Sequence, residues 1–174
     1  MVRDADNTER YLKLKDRAAE GHAHDLWFLA LHVLRVQPTQ DKATEAAECI
    51  SAFDVDKAPE VKLLLSQLHL LAGQREDGLD LLDELIEDNY PPAMCTLANE
   101  LINGATEYTE TTAEGLIKQA QKLGSVRAQM MSATLAHMNA PWFLKIFTYG
   151  RWVFWRFQVV RYWATTKEAD WEYL

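Results

Sequence analysis

Apolar residues recur along this chain at three- and four-residue spacing, the period of one helix face rather than the two-residue alternation of a strand. The segment TERYLKLKDRAAE, Thr8 to Glu20, has Tyr11, Leu12, Leu14 and an alanine at 18 or 19 for an apolar side, with Gly21 placed to stop the helix. A more strongly apolar helix is expected from Asp25 to Val36, closed by Pro38. A third begins at Thr39 or Asp41, both suitable N-caps, and runs through ATEAAECISAF. Pro59 suits the first turn of a helix that continues through VKLLLSQLHLLAG to Gly73. Glu76 to Asp88 places Leu79, Leu82, Leu85 and Ile86 on one side and carboxylates around them. Further helices are expected in PAMCTLANELINGA (92–105), in TTAEGLIKQAQKLG (111–124) after a turn through Thr106 to Thr109, and in VRAQMMSATLAHM (126–138). No window alternates over a strand's length between hairpin signals, so the expected class is all-α.

The second helix of each expected pair is similar to the next. Taking Leu29, Leu65, Leu97 and Ser132 as equivalent, the steps are 36, 32 and 35 residues. That is the period of two-helix solenoid repeats, in which each pair buries its apolar face by stacking on its neighbours. Ala19, Ala30, Ala98, Ala120 and Ala133 are expected at helix contacts, because helices approach closely only where side chains are short. The stretch AAEGHAHDLWFLALHVL at 18–34 resembles the Sel1-like variety of tetratricopeptide repeat, and its junction recurs loosely in QAQKLGSVRAQMMSATLA at 119–136. The segment 64–88 reads more like an ordinary tetratricopeptide pair. The resemblance covers about residues 8–138 and implies a right-handed α-solenoid that assembles other proteins, membrane-associated machineries among them.

From Pro141 to Trp163 the pattern changes. PWFLKIFTYGRWVFWRFQVVRYW holds ten aromatic residues, four cations (Lys145, Arg151, Arg156, Arg161) and no acid. A spanning helix needs about 20 predominantly apolar residues, and the charges here break every long apolar run. Projected at about 100° per residue, Lys145 and Arg156 share a direction while Arg151 and Arg161 point elsewhere, and rings lie all round. Such a helix is expected to lie at the headgroup level, to dock into a partner that takes its rings as anchors, or to cap its own helical stack. The candidate docking residues are Trp142, Phe143, Lys145, Phe147, Arg151, Trp152, Trp155, Arg156, Arg161 and Trp163. The expected organisation is a repeat domain over 1–140, the aromatic basic helix over 141–164 and a short tail over 165–174.

Charge sharpens this contrast. Residues 1–140 carry 13 Lys and Arg against 23 Asp and Glu, a balance of −10, whereas 141–174 carry 5 against 3, a balance of +2. An acidic body argues against nucleic acid as a partner, since nucleic-acid binding draws on a basic footprint. The expected partners are a protein belonging to a membrane-associated complex and an anionic lipid surface for the basic segment.

Candidate chemistry is sparse. His22 and His24 do not share a helix face and have no third ligand, and His32, His69 and His137 each stand alone in an apolar helix without a nucleophile and an orienting acid. The carboxylates at 76–88 lack the alternating ligands and central glycine of a calcium loop, and Gly73, Gly78 and Gly104 form no phosphate-binding loop. Cys49 and Cys95 are isolated and read as small core residues in a reducing compartment. No catalytic, metal or cofactor site and no small-molecule substrate is expected. The charged start, without a signal-type apolar core, points to the cytoplasm, with attachment to the inner face of the membrane through the last helix. Two roles stay open: a non-enzymatic adaptor docked through 141–163, and a soluble regulatory or peptide-binding module whose last helix caps its own stack.

Overall fold

A computed structural model describes residues 2–104 and 111–165, with side chains from Asn7 to Arg161 except Thr8. Among these residues it is all-α and contains no strand. The expected turn through 106–109 and the tail 166–174 lie outside the described residues.

The chain divides into two compact units, Met1–Glu87 and Asp88–Leu174. The first contains α1 (Val2–Ala18), α2 (Ala23–Val36), α3 (Gln40–Ser51), α4 (Pro59–Ala72) and α5 (Arg75–Glu87). Here α1 packs on α2 and α3, α2 also meets α3 and α4, and α4 lies between α3 and α5. Its core is Leu26, Leu29, Ala30 and Val33 of α2, Ala46 and Ile50 of α3, Val61, Leu65 and Leu68 of α4, and Leu82 and Leu85 of α5. At Gly78 α5 lies close against α4: a Cβ there would lie 2.9 Å from both Leu70 Cγ and the Ser66 carbonyl oxygen. The sequence marks Gly78 only as an isolated glycine; its use is packing.

The second unit contains α6 (Pro91–Ile102), α7 (Ala113–Lys122), α8 (Val126–Asn139), a 3-10 turn at Trp142–Leu144 and α9 (Lys145–Thr165). Pro91 and Pro92 occupy the first turn of α6, where a missing N–H costs nothing. Thr112 and Ser125 cap α7 and α8, their hydroxyls accepting from Gly115 N and Ala128 N at 3.2 Å each. Met94, Leu97 and Ala98 of α6, Leu116, Ile117 and Ala120 of α7, and Ala128 and Ala133 of α8 form its core. Helix α9 packs along α8.

The expected helices are present with altered ends. Helix α1 begins at Val2 instead of Thr8, and α9 begins at Lys145, after an extended Pro141 and the 3-10 turn, instead of at Pro141. Ala30, Ala98, Ala120 and Ala133 are buried as helix contacts require, but Ala19 is exposed: α1 ends one residue earlier and Ala18 fills that place, fully buried.

Candidate docking surface on the last helix

Helix α9 is 21 residues long, about 31 Å at 1.5 Å per residue. Four of its residues at three- and four-residue spacing, Thr148, Trp152, Trp155 and Val159, are half-buried and mark the side turned to the protein. His137 of α8 holds that side: its Nδ1 lies 3.0 Å from Thr148 Oγ1, and its ring stacks on Trp152 at 6.3 Å and meets Tyr149 at 5.9 Å. Tyr149 and Trp152 stack on one another at 5.6 Å, and the Arg156 guanidinium lies 5.0 Å from the Trp152 ring centroid, within cation–π range.

Among the described residues the opposite side has no cover. Ile146 is 80% exposed, Phe147 76%, Phe157 63% and Val160 60%, with Val153 and Phe154 exposed beside them. Counting about 100° per residue, Val160, Val153, Ile146, Phe157, Phe154 and Phe147 fall in one arc about 140° wide. Lys145 and Arg156 lie along one border of the arc and Arg151 along the other, while Arg161 closes its C-terminal end. All four cations are exposed. The rings of Trp142 and Phe143, 84% and 57% exposed, meet edge to face at 6.1 Å just before the helix. None of the described residues of α9 is fully buried.

The ten candidate residues therefore separate by position. Trp142, Phe143, Phe147 and the four cations face outward. Trp152 and Trp155 are half-buried, Trp152 against His137. The side chain of Trp163 lies outside the described residues. Ile146, Val153, Phe154, Phe157 and Val160 belong to the outer arc although the sequence does not single them out. Their signal, apolar residues at 146, 153, 157 and 160, is hidden by rings on the buried side. The broken polar face seen in projection has a physical reason: one side of α9 is turned to α8, so the cations border an apolar arc instead of forming a stripe.

The remaining candidates are held in structural contacts. His24 packs edge-on against Phe28 at 4.6 Å, and His22, the N-cap residue of α2, is exposed 3.8 Å from Glu20. His69 Nδ1 lies 2.8 Å from Gln74 Oε1. Glu84 of the acidic α5 face accepts from Lys62 at 2.6 Å, and Lys62 also reaches Asp56 at 2.9 Å. Burial lowers the Lys62 ammonium, but its bonds to Glu84 and Asp56 outweigh that and leave it raised. Burial pushes both the Cys49 and Cys95 thiols up, the direction opposite to that which activates a thiolate. Among the described residues no group of three or more His, Cys, Asp or Glu side chains is placed to hold a metal, and no helix is long and apolar enough to cross a membrane.

No family model, no curated protein and no solved structure matches the chain.

Proposed function

We propose that the chain is a non-enzymatic adaptor: a Sel1-like or tetratricopeptide-like helical body that holds a partner protein, and a last helix that docks it to a membrane-associated complex or to the membrane surface. The observation that carries this reading is the outer arc of α9, an apolar surface about 21 Å long from Ile146 to Val160 at 1.5 Å per residue, bordered by cations and exposed in the isolated chain. Contiguous apolar surface rimmed by polar groups marks a site of interaction. Support for a repeat body comes from the 36-, 32- and 35-residue steps and from neighbouring helix pairs packed within each unit, including α2 against α4 in the first. The polar contacts of the candidate histidines and carboxylates, and thiols raised by burial, favour binding over catalysis.

A second reading, a module whose last helix caps its own stack, draws on the contact of α9 with α8 through His137 and Trp152. It accounts for one side of α9 and leaves the outer arc without a role.

Cell fractionation of the native full-length protein tests the adaptor reading. Most of it is expected with the membranes, and recovery entirely in the soluble fraction would sink the proposal.

A further inference from the structure

Resting on that docking reading, we propose that the outer arc of α9 binds an anionic lipid bilayer directly, the helix lying in the plane of the headgroups with Phe147, Val153, Phe154 and Phe157 turned into the acyl boundary. Charge complementarity comes first. Lys145, Arg151 and Arg156 are exposed on both borders of the arc, and no acid occurs between Pro141 and Thr166 to offset them. A helix lying flat has headgroups along both of its sides, and long basic stems reach them from either border. The body carries −10, but α8, the helix packed on α9, contains no acid, and charges further off than about 8 Å are largely screened at physiological salt.

The distribution of the exposed groups favours lipid over a protein pocket. A protein interface concentrates its binding energy in a central cluster, typically Trp, Tyr or Arg. Here Trp152 and Trp155 are the half-buried rings, and the exposed arc is Ile, Val and Phe spread from 146 to 160 with no central anchor. Trp142, 84% exposed at the entry to the helix, suits the interfacial level at which Trp is enriched.

The test uses the purified full-length protein and vesicles of phosphatidylcholine alone or with 30% phosphatidylglycerol, read by cosedimentation. Binding is expected to the mixed vesicles and at least tenfold weaker to the neutral ones, with marked loss on raising salt. Replacing Lys145, Arg151 and Arg156 together by Gln should weaken binding to the mixed vesicles about 100-fold, since each cation near such a surface is worth roughly fivefold. Phe154→Glu with Phe157→Glu should weaken it at least as much. Equal affinity for the two vesicles, or none for either, overturns the lipid proposal, and that comparison requires no variant to fold. If native membranes still retain the protein and lose that capacity after protease treatment, the target is an acidic protein: the lipid inference fails while the docking reading stands. If neither vesicles nor native membranes retain it, both fail.

Discussion

Gly21 and Gly124 both sit beyond a helix end in the left-handed region, with φ of 77° and 86°, but their surroundings differ. A Cβ at Gly21 would meet the Phe53 ring at 2.5 Å, whereas one at Gly124 has nothing within 4 Å. The left-handed backbone alone costs an alanine about 1 kcal/mol, and overpacking adds about 1–3 kcal/mol. Gly21→Ala is therefore expected to destabilise by about 3 kcal/mol and Gly124→Ala by about 1 kcal/mol, at about 2–4 °C of melting temperature per kcal/mol for a chain of this length. Comparable melting shifts for the two variants would show that Phe53 does not close over the α1–α2 junction. His32 supplies a pH-dependent test. Burial lowers its pKa, against a backbone bond to Asn7 that raises it, and the charges of Arg10 and Lys42 lower it further; its ring stacks on Tyr11, and among the described residues its Nε2 has no hydrogen-bond partner. A histidine depressed in the folded state contributes stability above its unfolded pKa of about 6.5 and loses that contribution as pH falls below it. The melting temperature should drop between pH 7 and pH 5, and His32→Gln should flatten the drop; an unchanged slope in the variant would assign it to other groups.

At the level of elements, α9 has a side that contributes to stability and a side that does not. Trp152→Ala removes a half-buried ring stacked on His137 and Tyr149 and is expected to cost about 1–2 kcal/mol. Phe154→Ala, on the outer arc, should stay within about 0.5 kcal/mol of the parent. Thermal melts of the two variants compare the sides directly, and a larger loss for Phe154 would mean that the helix is turned the other way. The helices themselves are legible in the sequence because proline and glycine punctuate them: Pro59, Gly73 and Pro91 stand at real helix ends. The start of α1 is not, since 2–7 has too few apolar residues to show a period. Nor is the face of α9. With rings on every side, hydrophobicity cannot distinguish Trp152 from Phe154, and only the position of α8 does. Ala19 and Ala18 are adjacent alanines whose roles are exchanged by a one-residue difference in where α1 ends.

In the molecule as a whole, charge and exposed apolar surface are segregated along the chain: an acidic helical body, and a basic last helix that carries most of the exposed rings. Each of the two units has its own buried core, and α9 adds no fully buried described residue to the second. The docking proposal gives a role to an element that contributes so little to the core yet presents so much apolar surface. The most direct measurement is the fraction of full-length protein recovered with membranes when Phe147, Phe154 and Phe157 are all changed to Glu. Release into the soluble fraction, at a melting temperature within about 2 °C of the parent, is the expected result; retention on membranes together with a collapse of the melting temperature would show that those rings hold the fold together and do not dock it.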